Sequence, residues 1–355
     1  MAEHPWGKGA RAAHSLSPPN WERNAGPTAP LKMDPHNMSW IHYPSHMSPA
    51  VEDVIASQSV ISRCVHVYVA LCVPLSLVTG IFNLTVFIRG HARLGLLDML
   101  LAGLTVTSIL VTLLSLSVAS RPDYMLTTNL GCGVLSFLSN VCYFMAQYLQ
   151  GVTLIPSFLP GSAGCLLWAR PAASLAAIGG CAVCSSLIVV SLLGTFREPY
   201  KTTLCQADPL TAWPEYEIVK FSLGFALALV LQLLFLLLCT TQLAWRATPE
   251  QRNASSERRV VLAVALNMFT CRLFYNVALL QRARLKLQRD VGSPRDELVM
   301  NLAELALSGE SCVNSVVTLL LHVPCKLALL GLVGRLTRRC RRGSDNSISL
   351  SRVEG

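Results

Sequence analysis

Three ionisable side chains, Arg272, Glu304 and Glu310, stand inside otherwise apolar runs. A lone charge at the middle of a bilayer costs about 3 kcal/mol or more. Two opposite charges in contact cancel much of that cost, while stripping one partner from a buried pair costs about 3–5 kcal/mol. Arg272 therefore calls for a carboxylate partner, with Glu304 and Glu310 as the candidates; the alternative is that each lines a hydrated cavity separately. Thiols are the other reactive group. Most of the thirteen cysteines lie in apolar runs, where a thiol packs as a small hydrophobe. Cys181-Ala182-Val183-Cys184 has redox-motif spacing, but within an apolar helix it reads as packing. No cluster of His, Asp and Glu, and no nucleophile with a base, stands at usable spacing. The expectation is a non-enzyme with no cofactor and no metal.

Composition says what must position these groups. Of 355 residues, 52% are hydrophobic and only 14% are Asp, Glu, Lys or Arg, against about 25% charged in soluble proteins. That deficit argues against a cytosolic enzyme, a disordered regulator and a nucleic-acid-binding protein. The expected solvent is a lipid bilayer. The net charge of +9 is scattered, and its largest cluster, Arg335 to Arg342, adjoins an apolar stretch, as expected beside a membrane.

A hydrocarbon core about 30 Å thick needs roughly 20 apolar residues per helix. Seven charge-poor runs qualify: Cys64 to Ile88, Leu94 to Val118, Leu130 to Leu159, Ala172 to Thr195, Phe221 to Trp245, Val260 to Leu280 and Leu298 to Val323. Pro156, Pro160, Gly161 and Gly164 mark the end of the third. Segments with Arg89 and Arg93, then Arg170, then Arg246, Arg252, Arg258 and Arg259, and finally Arg335 to Arg342 fall on one side. The rule that Lys and Arg favour the cytoplasmic side puts the N-terminus outside and the C-terminus inside. The outer loops are mixed, one holding Glu215 and Glu217, another Arg282, Arg284 and Lys286.

The expected organisation is an all-α, seven-transmembrane helix bundle over residues 62–323, preceded by an extracellular, disordered tail over 1–61. No signal peptide is evident in that tail, and Met33 reads as a fresh start. Asn37-Met38-Ser39 is a glycosylation sequon on the outer side; those at Asn83 and Asn253 fall where the transferase cannot reach. Residues 324–342 read as an amphipathic interfacial helix with Cys340 as a palmitoylation site. Residues 343–355 form a cytoplasmic tail, where Ser344, Ser347 and Ser349 follow a basic run suited to phosphorylation.

Several stretches resemble the rhodopsin-like G-protein-coupled receptors. Gly80-Ile81-Phe82-Asn83 is similar to that family's Gly-x-x-Asn, whose Asn joins the first, second and seventh helices. The second helix, from Asp98 to Leu110, overlays on the family pattern with Ser108 where a sodium-binding Asp is kept; a neutral hydroxyl cannot replace a carboxylate as cation ligand. Met268 to Tyr275 resembles Phe-x-x-Cys-Trp-x-Pro-Tyr with Arg272 in place of the Trp, and Glu310 to Thr318 resembles the Asn-Pro-x-x-Tyr region with Asn314 kept. The resemblance implies a disulfide between Cys132 and Cys205, and a polar network of Asn83, Ser108, Arg272, Glu310 and Asn314, in which Arg272 and Glu310 occupy neighbouring places on facing helices and so are expected to pair, with Glu304 as the rival partner. It also implies a ligand pocket near Arg272, Tyr275 and Glu304.

The family's Asp-Arg-Tyr should fall at Pro156, Ser157 and Phe158, where neither acid nor arginine is present. The fourth-helix Trp and fifth-helix Pro are missing too. The implied function is an orphan receptor at the plasma membrane with an unknown extracellular ligand and a heterotrimeric G protein or arrestin as partner. The alternative is a seven-helix protein that does not activate G proteins, serving as scavenger, trafficking partner or dimerising subunit. A small transporter is the third reading, but no internal repeat supports it.

Overall fold

A chain in hydrocarbon must satisfy its own backbone N–H and C=O groups, so apolar runs of this length become helices. The computed structural model describes residues 49–90, 95–119, 125–158, 171–193, 200, 202–205, 208, 212–230, 232–234, 237, 254–288 and 292–351. Asn37 lies outside them. Helix α1 comprises Pro49–Val67, a π-helical turn Tyr68–Cys72, and Val73–Arg89. Then follow α2 (Leu96–Ala119), strand β1 (Met125–Thr128), α3 (Asn129–Phe158), α4 (Pro171–Ser191) and strand β2 (Thr202–Cys205). Helix α5 starts as Pro214–Phe221 and continues through a π-helical turn Ser222–Ala226; α6 is Ala254–Leu287, α7 is Pro294–Leu321 and α8 is Val323–Ser351.

Seven helices are long and apolar enough to cross a membrane: Glu52–Arg89, Leu96–Leu116, Asn129–Leu154, Ala172–Ser191, Pro214–Leu234, Arg258–Leu287 and Pro294–Leu321. The chain is thus a multi-pass helical membrane bundle. Large apolar side chains such as Leu71, Val78, Leu187, Leu266 and Val277 point outward, as lipid contact requires. Strands β1 and β2 both pack against α3. The two strands pair antiparallel from Met125 with Cys205 to Thr128 with Thr202.

Several boundaries differ from the expected ones. Helix α1 starts at Pro49, not near Cys64, and so extends helically into the segment expected to be disordered. Its 38-residue span measures about 57 Å at 1.5 Å per residue, well beyond a 30 Å core, because its first turns pack on α7. Helix α5 starts before Phe221 and α6 runs past Leu280, so Glu215, Glu217, Arg282, Arg284 and Lys286 belong to helices rather than to loops. Helix α3 continues through Pro156 to Phe158, and α8 runs past Arg342 to Ser351 without a break. Cys181 and Cys184 are free and exposed on α4, facing away from the bundle core instead of packing within it.

Two apolar clusters bracket the polar interior. Phe144, Val189, Leu193, Tyr216, Tyr275 and Leu279 pack near the end where α1 begins. Phe87, Leu100, Leu149, Val264 and Met268 pack toward the opposite end. Gly224 in the π-helical turn of α5 matters for the site, since a Cβ there would collide with the ring of Tyr143.

Candidate functional site

The helical repeat places Tyr143 and Gln147 on one face of α3, Arg272 and Asn276 on one face of α6, and Glu310 and Asn314 on one face of α7. These faces converge. Arg272 Nε donates to Glu310 Oε2 at 3.0 Å and Nη2 donates to Oε1 at 3.1 Å, a two-pronged pair whose planar fork suits a carboxylate. Nη1 donates to Gln147 Oε1 at 2.6 Å and to the Tyr143 carbonyl at 3.1 Å. The guanidinium carbon lies 4.8 Å from the centre of the Tyr143 ring. With Arg272 2% and Glu310 4% exposed, nearly every donor must find a protein acceptor, and α3 and α7 supply them.

Further along α7, Asn314 Oδ1 accepts from Asn267 Nδ2 at 2.9 Å, which also donates to the Glu310 carbonyl at 3.3 Å. Asn83 Nδ2 donates to the Ser315 carbonyl at 2.8 Å, tying α1 to α7. Thr112 of α2 bridges Ser76 of α1 at 2.8 Å and Ser311 of α7 at 3.1 Å. Ser108 is buried beside this chain, its carbonyl accepting from Thr112. The structure thus brings Asn83, Arg272, Glu310 and Asn314 onto one polar seam and adds Gln147, Asn267 and Asn276, which the sequence reading missed.

A second cluster lies nearer the α1 end. Lys220 of α5 donates to Asp208 at 2.6 Å. Tyr216 also donates to Asp208, at 2.7 Å, and Tyr275 of α6 donates to its other carboxylate oxygen. Glu217, fully buried, accepts from Arg282 and Lys286 of α6 at 2.6 Å each, and Arg282 reaches the Asp208 carbonyl at 3.1 Å. Burial alone would push the Asp208 carboxyl up, but the charges of Lys220 and Arg282 outweigh it and hold it down at about 2. Glu304 of α7 does not join Arg272; it lies in the field of Asp208, Arg282 and Lys220. Three acidic side chains, Asp208, Glu217 and Glu304, and three cations, Lys220, Arg282 and Lys286, therefore gather here. Tyr143 links the clusters, its ring centre 5.2 Å from Lys220 and 4.8 Å from Arg272.

This second cluster was readable only as spacing. Glu217 and Lys220 stand three apart and Arg282 and Lys286 four apart, the distances that share a helix face, so an apolar run flanked by such pairs extends its helix through them. Tyr275, which the resemblance puts in a ligand pocket, is fully buried and donates to Asp208.

At the opposite end, His322 breaks the chain between α7 and α8. Its Nε2 lies 3.0 Å from Asp98 Oδ1 of α2, and its Nδ1 lies 3.4 Å from Cys325 Sγ. The row has the types of a thiol nucleophile with base and acid, but Cys325 is fully buried and its thiol is pushed up to about 12 by that burial. It acts as a fastening between α2 and α8. Among the described residues no group of three or more His, Cys, Asp and Glu could hold a metal ion. Cys132 is buried near the start of α3, and Cys205 closes β2; the side chains of Cys340, Ser344, Ser347 and Ser349 on α8 lie outside what is described. No protein-family model and no curated protein matches the chain.

Proposed function

We propose that this chain is a receptor resembling the rhodopsin-like G-protein-coupled receptors, carrying an extracellular signal across the plasma membrane with its N-terminus outside and its C-terminus in the cytoplasm. The observation that supports this reading most is the buried Arg272–Glu310 pair, which joins α6 and α7 and is anchored on α3 through Gln147 and the Tyr143 carbonyl. A buried pair with all its partners in place has two discrete states, made or broken, and such an element converts a small shift at one end into helix movement at the other. The Asn83 bond to Ser315 belongs to the same seam and follows the resemblance drawn from Gly80 to Asn83.

In this reading Cys132 bonds to Cys205. Cys132 is not among the free thiols of the described residues, and β2 ends at Cys205 against Met125, on the strand that leads into α3. Glycosylation at Asn37, palmitoylation at Cys340 and phosphorylation at Ser344, Ser347 and Ser349 belong to it too, as does a G protein or arrestin as the inner partner.

One observation favours a second reading. Helix α3 ends in Pro156, Ser157 and Phe158, with no arginine to enter a G-protein interface, which suits a seven-helix protein that reaches the surface without activating G proteins. Constitutive and ligand-panel G-protein activation, compared between the natural chain and one carrying Pro156→Asp, Ser157→Arg and Phe158→Tyr, separates the two. Signalling in either form supports the receptor. Surface expression with silence in both supports the second reading.

A further inference from the structure

Between the first turns of α1, the last turns of α6 and the start of α7 lies a cavity of about 560 Å³. That volume falls within the roughly 300–1,000 Å³ range of small-molecule sites. Val54, Ile61, Leu285 and Met300 give it apolar walls, and Arg282 and Lys286 place two cations at its edge. Its depth is informative. The run of α1 without Asp, Glu, Lys or Arg begins only at Cys64, so Val54 to Ile61 stand at or above the headgroup level of a bilayer. We infer that this cavity binds a single-chain anionic amphiphile, with its carboxylate or phosphate on Arg282 and Lys286 and its chain along the apolar walls.

The charge assignment follows from which wall groups still have capacity. Asp296 and Glu297 carry negative charge on the same lining, with Asp296 turned into the capping box of α7, accepting from the Ser293 amide at 2.9 Å and the Ser293 hydroxyl at 2.7 Å, so an anion's head is placed on the α6 wall. Arg282 uses Nε toward Glu217 and Nη2 toward Asp208, which leaves Nη1 without a partner among the described residues. Lys286 spends two of its three donors, on Glu217 and on the Ala212 carbonyl. An anion arriving here competes with Glu217 for both cations. Arg282 also bonds the residue that holds Tyr275 and Lys220, so occupancy is coupled to the buried seam. The binding claim stands on the cavity alone; that binding starts a signal rests on the receptor reading.

The test uses full-length protein in nanodiscs, with radiolabelled oleate and oleoyl lysophosphatidate as probes, oleyl alcohol as the uncharged control and inorganic phosphate as a chainless anion. Both anionic probes are expected to bind saturably and at least about tenfold more tightly than the alcohol, the worth of one charged hydrogen bond. Preference for oleate or for the lysophosphatidate identifies the head. Ser57→Trp fills the cavity without touching an ion pair and should abolish binding while leaving the melting temperature unchanged; Lys286→Gln should weaken it about tenfold. Equal binding of the alcohol, unchanged binding in Ser57→Trp, displacement by inorganic phosphate alone, or no saturable binding overturns the inference. A chain that binds the probes yet never activates a G protein retains the inference and loses the receptor reading.

Discussion

Glu217 and Arg282 meet at 2.6 Å, the carboxylate fully buried, and join the first turn of α5 to the last turns of α6. Lys286, one turn on, reaches the same oxygen. A single carboxylate thus holds two cations, and through Arg282 it touches the Asp208 segment. The end of the bundle where α1 begins is fastened by charge, whereas the rest is fastened by amides, hydroxyls and the Arg272–Glu310 pair.

Removing one partner of that arrangement leaves the others uncompensated. Glu217→Gln should destabilise the folded chain by about 3–5 kcal/mol, the cost of breaking a buried pair, read as a loss of surface expression and of melting temperature in nanodiscs. Glu215→Gln, two residues away but exposed, should change neither. Equal losses in both would mean that the pair contributes no more than surface charge.

Arg272 and Glu310 make a cleaner cycle because each is the other's only ionic partner among the described residues. Arg272→Gln or Glu310→Gln should each cost about 3–5 kcal/mol, and the double variant should lose clearly less than the sum. Additive losses would show that the two act independently. The charge-swapped chain is expected to regain part of the expression lost in Arg272→Glu.

Asp208 supplies a pH dependence whose sign is set. Its carboxyl is held at about 2 by Lys220 and Arg282 against the opposing effect of burial, below the ordinary value of about 3.9. A carboxyl depressed on folding contributes stability that is fully present above its unfolded value and is lost as pH falls from about 4 through 2. The melting temperature should therefore drop over that interval, and Asp208→Asn should be less stable at neutral pH with a flatter acid limb. The same slope in both proteins would assign the acid limb to other groups.

The tie between α1 and α7 runs from a side chain to a main-chain carbonyl. Asn83→Ala should thus cost about 1–3 kcal/mol, whereas Ser315→Ala, which keeps the carbonyl, should cost much less at this contact. Thermal unfolding of both variants decides it; a larger loss in Ser315→Ala would move the importance to the hydroxyl, which bonds Ser311.

With Ser108 where a carboxylate would be needed to hold a cation, exchanging sodium for potassium at constant ionic strength should leave the melting temperature unchanged. Ser108→Asp is the informative variant, since it introduces a carboxylate one turn from Thr112, which itself meets Ser311. A strong sodium dependence in the natural chain would contradict this account.

The charge pattern alone determined a bundle of seven lipid-spanning helices, because uncharged runs of about 20 residues have no other stable fate in a bilayer. It also singled out Arg272, Glu304 and Glu310, since a charge in an apolar run demands a partner, but packing decided that Glu310 is the one Arg272 meets. What it could not determine is how far a helix continues once charges begin. Glu217, Lys220, Arg282 and Lys286 look like solvated loop residues in one dimension. Only the tertiary structure places α5 against α6 so that their charges neutralise one another away from water, and a residue's solvation depends on neighbours that lie distant in the chain. For the same reason Asp208, Asn267 and Gln147 carried no signal of their own. Each is ordinary in sequence, and each becomes part of the seam because packing brings a partner of the right kind within hydrogen-bond reach.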